Sequence, residues 1–299
     1  MTKPTVKLSS LWREKLENAL RRAQILAEAL PYIREFSGKT VVVKYGGQAM
    51  ADEKLKRSVA RDITLMKYVG IKPVIVHGGG KAITTFMEKL GIKPRFIEGN
   101  RVTDSETMEI VEMVLMGKIN KQIVSLLNQF GGKAVGIGGK DGELILASRS
   151  KDKNLGLVGE VKKINSAIIE ILEREGFISV VAPIGMSKEG ETLNINADIV
   201  AAGLAGALKA EKLIFLTDVE GILEESALSG SLISTLSLKQ VWGMIKEGRI
   251  QGGMLAKMRA CESALKKGVS KVHIISGLKE HSLLLEIFTD QGIGTQILP

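Results

Sequence analysis

The chain has 299 residues, 44% of them hydrophobic, and carries a net charge of +9 with a pI near 9.4. That length and apolar content are enough to bury a large core in one α/β domain or two lobes, and they exclude a disordered chain. One cysteine, Cys261, excludes an intramolecular disulfide and a cysteine-rich zinc site, and aromatics at 4% leave few stacking platforms, so no nucleic-acid partner is expected. No apolar run is long enough to cross a bilayer and residues 1–10 carry no apolar signal core, so the expectation is a cytoplasmic protein with no membrane partner. Basic and acidic residues interleave, as in Asp52-Glu53 ahead of Lys54-Leu55-Lys56-Arg57, a pattern of solvated helix faces.

In chain order, Trp12, Leu16, Leu20, Ala23, Ala27 and Leu30 recur at three- and four-residue spacing. They predict an amphipathic helix that ends near Pro31, whose apolar stripe either packs on its own domain or docks on another subunit. From Lys39 onward, strand and helix patterns alternate. Val41 to Val43 precedes a helical stretch from Asp52 to Tyr68, and Val74 to Val76 precedes another from Ala82 to Leu90. A long helix is expected over about Glu106 to Phe130, then an apolar segment from Ala134 to Ile137. Leu144 to Ala147 and Leu157 to Val161 read as an antiparallel hairpin off the main sheet. Ile178 to Ala182, Leu213 to Leu216 and Val272 to Ile275 supply further buried strands. This alternation predicts an α/β fold, an open and mainly parallel sheet with helices on both faces. Three units are expected: an N-terminal oligomerisation helix over 1–36, a substrate lobe over 37–208 and a nucleotide lobe over 209–299.

Two strands end on a charged or polar residue and run into glycines: Val41-Val42-Val43-Lys44-Tyr45-Gly46-Gly47 and Val74-Ile75-Val76-His77-Gly78-Gly79-Gly80-Lys81. Backbone N–H groups at a helix entrance attract anions, and glycine lets a ligand come close. Neither cluster is a P-loop, because Lys81 is followed by Ala82 and Lys140 by Asp141; a dinucleotide fingerprint at Gly136 to Asp141 fails at Asp141. Thr217-Asp218-Val219-Glu220-Gly221-Ile222 places polar groups at a strand's carboxyl end, where open α/β sheets bind ligands. Gln251-Gly252-Gly253-Met254-Leu255-Ala256-Lys257 is another glycine turn entering a helix. In Asn194-Ile195-Asn196-Ala197-Asp198, Asn196 is a natural N-cap and Asp198 suits a positive helix end, while capping does not explain Asn194.

Together with Gly99-Asn100-Arg101-Val102-Thr103-Asp104 and Gly139-Lys140-Asp141, these stretches stand in the order of the amino-acid kinase family, which the chain resembles from about Phe36 to Leu298. The resemblance implies the fold of that family and ATP-dependent phosphorylation of the side-chain carboxylate of N-acetyl-L-glutamate, in arginine biosynthesis. It assigns Lys44 and Lys257 to the phosphoryl group in transit and Asp198 to holding those lysines. Gly79, Gly80, Arg101 and Asn194 match positions that bind the acetylated amino acid; Gly46, Gly47, Thr217, Asp218, Gly221, Ile222 and Gly253 match nucleotide-binding positions. Mg²⁺ is expected to arrive on the ATP phosphates, with no protein metal cage. The N-terminal helix and the stretch from His281 to Ile293 resemble the arginine-inhibited, hexameric members, trimers of dimers, with Tyr32, Lys212, Glu286 and Gly292 as candidates for binding L-arginine. Leu193 and Glu98 depart from the family, standing where many relatives have tyrosine and asparagine.

The residue chemistry is consistent with that reading. A glutamate side chain, with pKa near ~4.3, is already ionised at neutral pH, so its attack needs no general base. The obstacle is one anion approaching another, which lysines and helix N-termini address. His77, His273 and His281 are therefore not required as bases, and His77 is expected to order the glycine turn. Arg101 offers a planar fork to an α-carboxylate. Relatives acting on glutamate, aspartate, carbamate or uridylate, or a catalytically silent sensing module, are the competing readings.

Overall fold

The computed structural model describes residues 10–224, 231–290 and 292–299. The first nine residues of the expected N-terminal unit, residues 225–230 of the expected nucleotide lobe and Gln291 of the 281–293 stretch lie outside the described residues. Helix α1 (Ser10–Glu28) is followed directly by α2 (Leu30–Phe36). Pro31 thus does not end the helical region: it falls in the first turn of α2, where an absent N–H costs no intrahelical bond. Within one chain, α1 leaves Trp12, Leu16 and Leu20 exposed.

Strand β1 (Thr40–Tyr45) leads through a 3-10 turn at Gly47–Met50 into α3 (Glu53–Tyr68), whose N-cap Asp52 accepts from the Leu55 N–H at 2.9 Å. Strand β2 (Lys72–His77) enters α4 (Gly80–Lys89) directly, so that the helix begins two residues before its apolar periodicity does. The reason is glycine: Gly79 and Gly80 add no side chain to the pattern but still complete the first turn. A short hairpin, β3 (Phe96–Ile97) and β4 (Asn100–Arg101), precedes α5 (Ser105–Glu112), a π-helical segment Met113–Asn120, and α6 (Lys121–Gln129). The expected long helix is therefore present with a widened middle, a feature often found near functional sites. Glu98, at the hairpin tip, adopts φ 47°, a left-handed conformation that asparagine tolerates better than glutamate.

Next come β5 (Ala134–Gly138), the hairpin β6 (Ile145–Arg149) and β7 (Gly159–Ile164), α7 (Ala167–Arg174), β8 (Ile178–Ala182), β9 (Ile184–Met186), β10 (Thr192–Asn194) and α8 (Ala197–Ala207). The remainder is β11 (Lys212–Thr217), β12 (Leu223–Glu224), β13 (Ser231–Leu232), β14 (Thr235–Ser237), α9 (Leu238–Lys246), α10 (Gly252–Lys266), β15 (Lys271–Ser276), α11 (Ser282–Ile287) and β16 (Thr295–Leu298). Among the described residues, an eight-stranded sheet runs β14-β16-β15-β11-β1-β2-β8-β5, parallel throughout except where β15 meets β16. The β6–β7 hairpin lies off this sheet as the sequence predicts, in a four-stranded sheet with β9 and β10.

The side-chain period of two along β1 sorts its residues between two cores. Val41, Val43 and Tyr45 enter the core that α3 covers, with Ile63 and Met66; Val42 enters the other, beneath α8 and α10, with Val200, Leu204, Met258 and Cys261. Lys44 shares the parity of Val42, so it is delivered to the α8–α10 face at the carboxyl end of the strand. Cys261 is fully buried there, and burial pushes its thiol up, away from the thiolate form. It is a packing residue.

Candidate active site

Lys44 from β1 meets two groups that the sequence places far away. Asp198, in the first turn of α8, accepts from Lys257 Nζ at 2.7 Å through Oδ2, and Lys44 Nζ lies 3.1 Å from its Oδ1. Burial by itself would push the Asp198 carboxyl up, but the two ammonium groups outweigh it and hold the carboxyl below its ordinary value. Lys257 is 8% exposed and its Nζ lies 4.7 Å from the centre of the Phe215 ring. Phe215 is paired with Lys44 in the β1–β11 register and escapes sequence reasoning, since a phenylalanine inside an apolar strand reads only as core. Asn196 caps α8 as expected, its Oδ1 accepting from Asp198 N–H at 2.8 Å.

Two other helix entrances lie open. The N-caps of α4 and α10, Gly79 and Gln251, make no side-chain cap bond. A Cβ added at Gly80, Gly252 or Gly253 would meet nothing within 4 Å, so bare backbone faces open space at both helix starts. Gly79 differs: its Cβ would come within 2.5 Å of Leu115 and 2.6 Å of Ile119, side chains of the π-helical segment that press on the turn.

The first glycine turn is tied to the 217–222 segment. Asp218 Oδ1 accepts from Gln48 N–H at 2.5 Å, and this approach needs Gly47, at φ 73°, because a Cβ there would fall 2.0 Å from the same oxygen. At Gly46 a Cβ would fall 2.6 Å from Lys44 Nζ, so the lysine folds back over bare backbone. At the end of the segment, Ile222 N–H donates to Thr295 Oγ1 at 2.8 Å.

Arg101 is buried and has no acidic partner among the described residues. Its guanidinium donates to Gly80 C=O at 2.9 Å and Thr84 Oγ1 at 2.8 Å, and it lies 4.7 Å from the Phe96 ring centre. The hairpin is thus held to the entrance of α4. Asn194 is joined to the same assembly, its Nδ2 donating to Thr103 Oγ1 at 3.1 Å. Gly139, Lys140 and Asp141 instead build the turn after β5: Asp141 Oδ2 accepts from Gly138 N–H at 2.6 Å, and a Cβ on Gly139 would collide with Ile184 C=O.

A cavity of about 660 Å³ opens between the two glycine turns at Lys44, Gly46, Gly47 and Gly78 to Gly80. Arg101, Asn194 and Lys257 do not line it; it extends instead over Val59, Ile63 and Leu127. A second cavity of about 360 Å³ collects Tyr32, Lys212, Glu286 and Gly292. Glu286 is ion-paired there with Lys212 at 3.3 Å and is in contact with His273 Nδ1. Burial alone would push its carboxyl up, but the His273 and Lys212 contacts hold it below its ordinary value. Tyr32 OH donates to Asp290 at 2.5 Å.

His77 is fully buried beneath the second glycine turn, and burial pushes it down to about 4. Its Nδ1 lies 2.9 Å from Gly78 C=O, and its Nε2 lies 3.3 Å from the Asn120 amide nitrogen. Both contacts suit a neutral ring with the proton on Nδ1, an ordering role and not a base. The unfolded chain protonates this group below about 6.5, whereas the folded chain resists until about 4, so acid favours unfolding across that window. Wild type is expected to lose up to about 3 kcal/mol relative to His77→Gln as pH falls from about 6.5 to 4. Urea denaturation at stepped pH measures this, and a constant difference between the two proteins would contradict it.

Residues 39–276 match the amino acid kinase family. An acetylglutamate kinase of Syntrophus aciditrophicus is 54% identical over 295 residues, covering 95% of this chain and 99% of the relative. An N-acetylglutamate synthase structure from Neisseria gonorrhoeae, complexed with coenzyme A and N-acetyl-glutamate, superposes with TM-score 0.82 at 27% identity over 93% of this chain. This chain spans 63% of that synthase. The same synthase complexed with coenzyme A and L-arginine gives TM-score 0.76 at 26% identity, covering 92% of this chain and 65% of that one. The family match spans every strand of the main sheet but β16, both glycine turns and the lysine–aspartate–lysine cluster, and the chain belongs to the amino acid kinase family of phosphotransferases.

Proposed function

We propose that this chain transfers the γ-phosphoryl group of ATP to the side-chain carboxylate of N-acetyl-L-glutamate, forming N-acetyl-L-glutamyl 5-phosphate for arginine biosynthesis. The observation that carries this reading is the convergence of Lys44 and Lys257 on the buried carboxylate of Asp198 beside the open entrances of α4 and α10. A carboxylate oxygen attacks the γ-phosphorus, the bond to the β–γ bridging oxygen breaks, and ADP leaves with that electron pair. No proton has to move, because the acceptor is already ionised. Lys44 and Lys257 stabilise the charge on the phosphoryl oxygens, and Asp198 fixes both lysines before substrate arrives.

Gly79, Gly80, Arg101 and Asn194 bind the acetylated amino acid, with Arg101 on its α-carboxylate. Gly46, Gly47, Thr217, Asp218, Gly221, Ile222 and Gly253 form the nucleotide side. The substrate lobe over 37–208 and the nucleotide lobe over 209–299 meet where β1 and β11 pair, so the reaction lies on their seam. Mg²⁺, which would supply charge neutralisation on the phosphates, is assigned to enter with ATP. The smaller cavity, with Tyr32, Lys212, Glu286 and Gly292, is assigned to L-arginine as a feedback inhibitor, and α1 to assembly of a hexamer in the cytoplasm.

ATP turnover with N-acetylglutamate, glutamate, aspartate and UMP offered separately tests the activity. Turnover is expected only with the first, and preference for any other acceptor would overturn the assignment. L-arginine is expected to inhibit, and an unchanged rate at millimolar concentration would sink the regulatory part alone.

A further inference from the structure

Thr103 is fully buried at the junction of the segments that carry Arg101 and Asn194, and nothing above gives it a task. Its N–H donates to Leu155 C=O at 3.0 Å, and its C=O accepts from Leu157 N–H at 2.6 Å. Leu157 C=O in turn accepts from Asn194 N–H at 2.8 Å. A Cβ on Gly156, at φ 67°, would fall 2.3 Å from Thr103 C=O, so this isolated bridge between the two segments requires glycine there. The backbone is satisfied without the side chain.

The hydroxyl does something separate. Thr103 Oγ1 donates to Arg101 C=O at 2.8 Å, which commits its one proton. Only lone pairs then face Asn194, so the amide group that meets them must be the nitrogen, and Nδ2 is found 3.1 Å away. The flip state of Asn194 is thereby fixed, and its Oδ1, which no donor reaches among the described residues, is presented as an acceptor.

We propose that Thr103 is a positioning residue that sets acyl-amino-acid recognition by locking the Asn194 amide with Oδ1 towards the amide N–H of the bound substrate. This rests on the functional reading above. An acylated nitrogen carries one N–H in a fixed plane, so a misdirected Asn194 would present N–H against N–H and lose that contact. Valine at 103 keeps the shape but supplies neither the donor to Arg101 nor the lone pair for Asn194.

Steady-state kinetics of Thr103→Val and Thr103→Ser in the full chain test the assignment. In Thr103→Val the KM for N-acetylglutamate is expected to rise about tenfold or more, with kcat and the KM for ATP within about threefold. Thr103→Ser, which keeps the hydroxyl, is expected to restore the KM. Because Thr103 acts through Asn194, Thr103→Val combined with Asn194→Ala is expected to be no worse than Asn194→Ala alone. An unchanged KM, a parallel rise for both substrates, or additive effects in the double variant would overturn the role. If Thr103→Val does not fold, a folded Thr103→Ala is read by the same criteria, and a folded Thr103→Ser with the KM unrestored also overturns it. Wild type that fails to turn over N-acetylglutamate would overturn the functional reading itself, whereas wild-type turnover with an unmoved variant KM rejects only the role of Thr103.

Discussion

Replacing Lys257 with alanine is expected to lower kcat by about two orders of magnitude or more, with a smaller change in the KM for N-acetylglutamate. Lys257 is set one turn inside α10, held by Asp198 at 2.7 Å and packed over the Phe215 ring, so its ammonium is oriented before substrate binds. A cation fixed in advance stabilises charge developing between two anions without reorganising, and removing one such group typically costs about 3–4 kcal/mol in the barrier. Lys44→Ala is expected to behave similarly, because its ammonium rests on the other oxygen of the same carboxylate. Single-turnover measurement of the phosphoryl-transfer step checks both variants. A loss confined to KM would show that the lysines bind the ground state and do not act on the transition state.

Asp198→Asn is the second large effect, and it separates stability from chemistry. The substitution keeps the side-chain shape but leaves two neighbouring ammonium groups, on side chains 15% and 10% exposed, without their counter-charge. Breaking a buried ion pair from one side costs about 3–5 kcal/mol, since the remaining charge stays desolvated. A reduced urea midpoint is expected, together with a fall in kcat of about 100-fold as the lysines lose their common anchor. Inorganic phosphate is expected to raise the Tm of Asp198→Asn more than that of wild type, because an added anion replaces the missing charge in the folded state alone. Equal stabilisation of the two proteins would show that the lysines have moved apart and no longer form one site.

The π-helical segment and the N-terminal helices show where pattern reading falls short. Periodicity over 106–130 identified a helix, but not that Met113–Asn120 widens so that Leu115 and Ile119 reach Gly79 and Asn120 reaches His77. Such a change keeps an apolar face and leaves no compositional mark. Pro31 was equally ambiguous, since one residue type serves both to stop a helix and to start one.

By itself the sequence determined the alternating strands and helices, the glycine turns after β1 and β2, and the residue types at each strand's carboxyl end. Those follow from local physics: side-chain period, backbone freedom at glycine, and capping chemistry. No local pattern joins Lys44, Asp198 and Lys257, whose association was expected from the family resemblance alone; the tertiary structure decided their contacts, and it alone decided that Asp218 closes onto the first glycine turn and that Thr103 stands between Arg101 and Asn194. Separations of 59 positions from Asp198 to Lys257 and 91 from Thr103 to Asn194 carry no local signal of contact. Strand order and helix packing bring them together, because the parity of β1 delivers Lys44 to the face that α8 and α10 cover, and that placement exists only once the sheet has formed.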